Sequence, residues 1–279
     1  SERLGSFAFL IHPTSADDLL NIMPRSIIDL DEPHRKEFQQ WMASWFARRY
    51  EPAPVFHAER IESKLGGYVE GWLIACPLPP ERMMRLSKAN REKLLHQYVE
   101  AAKSVGADIV GLGAFTSIIS RGGMDIADAG IPITTGNSFT AMASAESLQN
   151  ALLATGQCRL DTRVAVIGAS GSVGRLAAIH LAGYYASLVL VGNSANAQAI
   201  DQLGEIAGEI YAQALHQMQR GSTVGLAQYL RVHLSEPMSV VAHCNQIVLR
   251  DEAPDYRAVR RIVESHLPCP APIEVSVDI

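Results

Sequence analysis

The most informative segment of the sequence is Arg163-Val-Ala-Val-Ile-Gly168-Ala-Ser-Gly171-Ser-Val-Gly174. Its apolar first half predicts a buried strand, and its three glycines predict a tight turn into a helix over 172–184. The next apolar run, Ser187-Leu-Val-Leu-Val191, predicts a second buried strand. Strand, helix and strand at this spacing indicate a βαβ unit with parallel strands.

The glycine spacing is typical of a turn that binds the phosphates of a dinucleotide. Gly168 permits the tight turn, the missing side chain of Gly171 lets a pyrophosphate approach, and Gly174 lets the helix pack closely on the strand. The free N–H groups of the first helical turn would then meet the phosphates. A glycine-rich turn without a ligand is the alternative. The predicted cofactor-binding residues are Gly168, Ala169, Ser170, Gly171, Ser172, Val173, Gly174, Asn193 and Ser194.

The residues after the second strand predict which dinucleotide binds. NAD-binding proteins usually place Asp or Glu there, against the ribose hydroxyls. Here Val191 is followed by Gly192-Asn193-Ser194-Ala195-Asn196, so no carboxylate would repel a 2′-phosphate. Because Asn193 and Ser194 can donate hydrogen bonds to such a phosphate, we expect NADP (NADPH) as the cofactor.

Predicted strands and helices alternate along the chain, which indicates an α/β fold with largely parallel sheets. We expect an N-terminal α/β substrate domain over residues 1–156 and a Rossmann-like dinucleotide-binding domain over 157–279. The second domain lacks sequence for the later strands of a doubly wound sheet, so a fragment of a longer protein is favoured over a short member that completes its sheet by association. The remaining predicted elements are strands at 7–11, 71–76, 107–112 and 273–277, helices at 33–50, 81–104, 138–156 and 256–266, and a segment at 239–249 that fits either type.

Small polar residues at a predicted helix start are candidates for substrate contacts. Thr134-Thr-Gly-Asn-Ser138 exceeds what one helix cap needs, although capping alone is the alternative. Together with Ser117 these residues could line a cleft at the carboxyl end of the sheet. The predicted substrate-binding residues are Ser117, Thr134, Thr135, Gly136, Asn137 and Ser138.

An apolar stripe in the helix 33–50 predicts that this helix packs in the core. A wall for a long apolar ligand is the alternative. The members of the stripe are Phe38, Trp41, Met42, Trp45 and Phe46.

Composition excludes several classes of function. The 279 residues are 48% hydrophobic, which excludes disorder as the main state. Twenty-four basic against 29 acidic residues give a net charge of −5, without the basic excess of nucleic-acid-binding proteins. Since no apolar run approaches the roughly 20 residues of a membrane span, we expect a cytoplasmic protein. Metal and disulfide sites are not expected because the four cysteines lie far apart, at Cys76, Cys158, Cys244 and Cys269.

Three segments together resemble one family. Gly113-Ala-Phe-Thr-Ser-Ile-Ile119, the block 134–138 and the loop 168–174 resemble the long-chain acyl-ACP reductases of cyanobacteria, which make fatty aldehydes. They also resemble relatives described as predicted amino-acid dehydrogenases. The likeness covers about residues 5–195 and implies NADPH-dependent reduction of an acyl thioester through a cysteine-bound acyl intermediate. In that family the reactive cysteine lies in a C-terminal region that we do not find here, so no catalytic residue is assigned. Cys244 and Cys269 are expected to be buried, inert thiols.

The leading prediction is therefore an NADP-dependent oxidoreductase that reduces an acyl thioester or a related carbonyl group to an aldehyde. Its substrate would be a small molecule or linked to an acyl carrier. A shikimate-dehydrogenase-like enzyme or an amino-acid dehydrogenase with a small polar substrate remains open, as does a non-catalytic nucleotide-binding or assembly module. Self-association into a homo-oligomer also remains open.

Overall fold

A computed structural model describes residues 2–15, 18, 31–38, 41, 51–64, 66–157, 162–250 and 253–277. The chain forms two compact units, Ser1–Gly136 and Asn137–Ile279. The predicted boundary at 156/157 assigns the helix Asn137–Thr155 to the first domain, whereas this helix groups with the second unit. The reason is packing, because Ala141, Ala145 and Leu152 are buried in the core of the second unit.

The first unit is built on a five-stranded sheet with the order β2-β3-β1-β4-β5. The strands β3, β1, β4 and β5 are parallel, and β2 runs antiparallel to β3 at the edge. Residues 32–38 and 41 are also helical. The elements of this unit are β1 (Arg3–Ile11), β2 (Ala53–Glu62), β3 (Tyr68–Ala75), α1 (Pro80–Met84), α2 (Lys88–Ser104), β4 (Ile109–Leu112), α3 (Phe115–Ile119), a 3₁₀ turn (Met124–Ile126) and β5 (Ile133–Thr134).

The core of the first unit lies between the sheet and α2. Alternate residues of β1 face it, so that Ala8 and Leu10 are buried while Phe9 is partly exposed. Against them pack the buried side chains of Leu94 and Tyr98. The hydroxyl of Tyr98 donates a 2.8 Å hydrogen bond to the backbone carbonyl of Ile11, which ties α2 to the end of the central strand.

Some predicted elements of this unit are corrected by the structure. The predicted helix 81–104 is two helices, because α1 ends at Met84 and Ser87 starts α2 as its cap, accepting a hydrogen bond from Asn90 N. The strand β2 was not predicted, because Pro52 and Pro54 break its pattern and most of its residues are exposed. An edge strand tolerates proline, since one side of its backbone needs no partner. Of the predicted apolar stripe, Phe38 and Trp41 stack with ring centroids 5.8 Å apart, and its other members lie outside the described residues.

The second unit contains a parallel three-stranded sheet with the order β6-β7-β8. The bounds of the predicted strands at 163–167 and 187–191 are confirmed, but the predicted burial of the first is wrong for its alternate residues, which are exposed, as at Ile167. The segment 239–249, predicted as either type, is helical, with Val240, Val241 and Cys244 buried on one face. The elements are α4 (Asn137–Thr155), β6 (Arg163–Ile167), α5 (Ser172–Ala182), β7 (Ser187–Val191), α6 (Ala199–Gln219), α7 (Gly225–His233), α8 (Pro237–Arg250), α9 (Tyr256–Ser265) and β8 (Ile273–Ser276).

Helices pack closely on one another around this sheet. A Cβ atom built on Gly208 of α6 would lie 2.5 Å from the carbonyl carbon of Tyr256 and would overlap its oxygen. Glycine at this position therefore lets α6 and α9 approach to backbone contact. Both units have parallel strands with helices between them, so the predicted mixed α/β class is confirmed.

Candidate functional site

The turn between β6 and α5 is fixed by backbone hydrogen bonds to the neighbouring strand. The N–H groups of Gly168 and Ala169 both donate to the carbonyl of Val191, over 2.9 and 3.1 Å. Gly171 N donates to Gly168 O over 2.9 Å and closes the turn. Gly168 has a φ of +74°, a left-handed conformation that glycine adopts without strain. The turn is thus held at the carboxyl end of the sheet.

Two of the three glycines of the loop, Gly168 and Gly174, have the geometry that their spacing predicts, while the predicted contact of Gly171 with a phosphate stays a prediction. Gly168 makes the left-handed turn. A Cβ atom on Gly174 would lie 2.8 Å from the carbonyl carbon of Gly168 and would overlap its oxygen, so this glycine permits close packing of α5 on the strand. Gly171 has an ordinary backbone conformation, φ −77° and ψ 161°, and its Cβ would contact only Gly168 O, at 3.3 Å. Its Cα therefore faces open space rather than the core.

Two helices begin at this turn. Asn137, the first residue of α4, donates a hydrogen bond from Nδ2 to Oγ of Ser172, the first residue of α5, over 3.0 Å. The first N–H groups of a helix have no acceptor within the helix, and its N-terminus carries about half a positive charge. Because two such ends meet beside Gly171, the site favours an anion.

The hydrogen bond from Asn137 also orients the hydroxyl of Ser172. An amide Nδ2 can only donate, so Ser172 Oγ is the acceptor and its own proton points elsewhere. The serine can thus donate to a second group, such as a phosphate oxygen. The sequence predicts Asn137 for substrate binding and Ser172 for cofactor binding, but it does not predict that they pair, because they lie 35 residues apart.

Arg175, the basic residue that follows the glycine loop most closely in the sequence, forms an ion pair. Arg175 binds Glu209 with two hydrogen bonds, Nε to Oε2 at 2.6 Å and Nη2 to Oε1 at 2.7 Å. The bonds to Glu209 raise the pKa of the Arg175 guanidinium. Since Glu209 in turn is neutralised by Arg175, the pair brings little net charge to the loop.

A groove of about 800 Å³ extends from the glycine loop along β6. Leu148 and Leu152 of α4 form one wall, and Ala177 and Leu181 of α5 form another. This groove could receive the uncharged part of a ligand whose anionic end lies at the loop.

Asn193 and Ser194 follow β7 at the carboxyl end of the sheet, as the glycine loop follows β6, and both are exposed. The Oδ1 atom of Asn193 accepts a 2.9 Å hydrogen bond from Ala195 N, which makes a local turn. Its side-chain carbonyl is therefore used within the loop, and only its amide nitrogen can serve a ligand. Their predicted role in cofactor binding stays a prediction.

The other predicted contacts are divided between the two units. Four of them lie in the first unit. Thr134 is the last residue of β5, and its Oγ1 accepts a 3.2 Å hydrogen bond from Gly136 N. Thr135 lies between these two residues, and Ser117 lies within α3. In the second unit, Ser138 follows Asn137 in the first turn of α4. The structure thus brings Asn137 to the glycine loop, and the substrate-binding role of all six residues stays a prediction.

Two of the described cysteines are buried thiols. Burial raises the pKa of Cys76 to about 12 and that of Cys244 to about 11. Cys244 is buried as predicted, but Cys269 is exposed, so its predicted burial is wrong. It lies in a stretch without regular structure between α9 and β8, where little packs over it. Cys158 lies outside the described residues.

The described ranges contain neither a cluster of metal-binding side chains nor a membrane-spanning helix. No group of three or more His, Cys, Asp or Glu side chains there is arranged to bind a metal ion. In the same part of the chain, no helix combines the length and the apolar character that crossing a bilayer requires.

Comparison with known proteins corrects the predicted chemistry. The chain is similar to part of an aminotransferase. It is 28% identical over 178 residues to aminotransferase PigE from Serratia sp. (strain ATCC 39006), an alignment that covers 60% of this chain and 19% of that protein. The chain therefore spans about a fifth of the length of this relative. No family model matches the chain.

This similarity contradicts the prediction of an NADP-dependent oxidoreductase that reduces acyl thioesters. An aminotransferase transfers an amino group rather than a hydride, so the predicted reductase or dehydrogenase activity and the NADP cofactor are both wrong on this comparison. The relative is an enzyme, as was predicted for this chain, but of another class. Sequence reasoning erred because a glycine loop specifies the binding of phosphate and not the chemistry carried out beside it.

Proposed function

We propose that the second unit binds the phosphate group of a small-molecule ligand, as one domain of a larger transferase-like enzyme. The observation that carries this proposal is the hydrogen bond from Asn137 to Ser172, which joins the N-termini of α4 and α5 beside Gly171. The similarity to an aminotransferase supports the enzyme class. A doubly wound, Rossmann-like scaffold is part of the proposal, since β6, β7 and β8 have the order of its first half.

In this site each group has one task. The first-turn N–H groups of α5 donate to the phosphate oxygens, and Ser172 Oγ, oriented by Asn137, adds a side-chain donor. Gly171 leaves the space that the phosphate fills. The partial positive charges of two helix ends lower the free energy of the bound anion, typically by 0.3–1 kcal/mol for each end. The groove along β6 would bind the rest of the ligand.

The first unit is proposed as the substrate side of the same enzyme. Ser117, Thr134, Thr135 and Gly136 remain its candidate contacts, and they lie at the carboxyl ends of parallel strands or directly after them. Ligands of open α/β sheets usually bind at that end. From the resemblance to the acyl-ACP reductases, the proposal takes the fold and the glycine loop but not the reductase activity.

Titration calorimetry with inorganic pyrophosphate tests the proposal on the parent chain and on Gly171→Val. The variant should keep the fold, because the Gly171 backbone is ordinary and its Cβ meets only Gly168 O. We expect it to lose at least tenfold in affinity, about 1.4 kcal/mol, because the isopropyl group fills the phosphate position.

Gly183→Val is the matched control, since it makes the same change at the other end of α5, also at an ordinary φ of −66°. It should bind pyrophosphate as the parent does. Equal affinity of the parent and Gly171→Val, or no binding by the parent, would refute the proposed site.

A further inference from the structure

Lysine is confined to the first part of the chain. The sequence contains five lysines, and none occurs between residues 104 and 279. All five are exposed, and three of them pair with a glutamate of their own helix. They are Lys36, Lys64, Lys88, Lys93 and Lys103.

This distribution does not fit the cofactor that the aminotransferase class implies. Pyridoxal phosphate is held in such enzymes by a covalent link to a lysine amine, in addition to the contacts with its phosphate. In the second unit the long basic side chains are arginines, which remain protonated and form no such link. The glycine loop therefore has a place for a phosphate but no amine of its own unit to fix a pyridoxal ring.

The surroundings of the first-unit lysines agree with this. Lys103 Nζ lies 3.1 Å from Glu100 and Lys88 Nζ 3.8 Å from Glu92, in each case on the surface of α2. A lysine that reacts at neutral pH is usually buried, because burial lowers its pKa. None of the five has that environment.

We infer that the phosphorylated ligand of the glycine loop is held by noncovalent contacts alone and exchanges freely with solution. The inference rests on the proposed phosphate site and makes it more specific. The ligand is then a substrate or a dissociable cofactor, and residues 104–279 do not form a pyridoxal phosphate site. Any transamination in which this chain takes part needs a lysine from outside those residues.

The test is covalent labelling of the full chain with pyridoxal 5′-phosphate, followed by reduction with borohydride and peptide mass spectrometry. Reduction fixes any pyridoxal phosphate attached to an amine. We expect partial labelling spread over the five exposed lysines and the terminal amine, unchanged by excess inorganic phosphate and unchanged in Gly171→Val. A variant with all five lysines replaced by arginine should bind inorganic pyrophosphate within about twofold of the parent, because the phosphate contacts come from α4 and α5.

One result would overturn the inference, namely complete labelling of a single lysine that inorganic phosphate prevents and Gly171→Val abolishes. Loss of pyrophosphate binding in the lysine-free variant would overturn the site on which the inference rests, because the phosphate contacts would then come from lysines and not from α4 and α5. Failure of the proposed function gives a different pattern, in which the parent itself does not bind pyrophosphate while the labelling remains spread over the surface.

Discussion

A single missing carbon atom at residue 174 sets how closely α5 approaches the strand before it. A Cβ there would overlap the carbonyl oxygen of Gly168, whereas a Cβ at Gly171 would lie 3.3 Å from the same oxygen. Gly174→Ala should therefore lower the free energy of unfolding by about 1–3 kcal/mol, the usual cost of overpacking. Gly171→Ala should change it by less than about 1 kcal/mol. Urea denaturation of both variants measures the difference, and equal stabilities would show that the loop can relax around the added methyl group.

The sequence predicts some local features of the site but not the contacts between distant residues. The spacing was sufficient to predict the turn at Gly168 and the close packing at Gly174, because both depend on neighbours a few residues away in the chain. The contact between Asn137 and Ser172 was not predictable, because it depends on how two helices meet after folding. Likewise, the loop did not predict that the relative found by comparison is an aminotransferase.

Two glycines of α6, Gly204 and Gly208, provide a test of how closely α6 packs on α9. A Cβ on Gly208 would overlap the backbone of Tyr256, which cannot move alone, while a Cβ on Gly204 would lie 3.2 Å from Nη1 of Arg260, which is the end of a flexible side chain. Alanine in place of glycine within a helix gains up to about 1 kcal/mol from propensity. Gly204→Ala should therefore be neutral or stabilising.

For Gly208→Ala the clash outweighs that gain. We expect a net loss of about 1–3 kcal/mol in the free energy of unfolding, as for other overpacked sites. Thermal and urea denaturation of the two variants, four residues apart in one helix, give the comparison. A stabilised Gly208→Ala variant would mean that α6 and α9 do not pack as the structure shows.

Directly before β4, Asp108 contacts β1 of the first unit in a pH-dependent way. Its carboxylate accepts hydrogen bonds from Ser6 N at 2.7 Å and from Ser6 Oγ at 3.0 Å, and these bonds lower the pKa of Asp108 in the folded state. A lowered folded pKa means that the stabilisation is complete above the unfolded pKa, about 3.9, and is lost as the pH falls through the folded value.

Removing the charge should remove that dependence. In Asp108→Asn the unfolding midpoint should fall relative to the parent near neutral pH, and the difference should shrink as the pH is lowered below about 4. Urea midpoints of both proteins across the acid range measure this. A difference that is independent of pH would contradict the role of the carboxylate.

Among elements, the sequence predicted best the bounds of two strands of the second unit. The ends of β6 and β7 agree with the prediction, because an unbroken apolar run bounded by glycine or charge is clear in the sequence. The strand β2 was not predicted, because its residues are mostly exposed and its formation depends on pairing with β3. Edge strands of this kind are specified by the partner strand more than by their own composition.

At the scale of the whole molecule, the proposed phosphate ligand links binding to stability. A ligand that binds only the folded form stabilises it by about 2.7 kcal/mol when its concentration is a hundred times the dissociation constant. Saturating pyrophosphate should therefore slow amide exchange in the second unit, most of all in α5, the loop before it and the first turn of α4. Hydrogen–deuterium exchange with mass spectrometry measures this, and protection confined to residues 1–136 would contradict the assignment of the site.

The pairing of Asn137 with Ser172 also has a consequence for the chemical ageing of the protein. Asn137 is followed by Ser138, a small residue, and asparagine before a small residue is prone to deamidation. The aspartate formed could no longer donate to Ser172 and would place a negative charge where the anion is expected. Stored samples would then lose affinity for pyrophosphate while their folded structure persists, and a shift of this peptide to the aspartate form would report the loss.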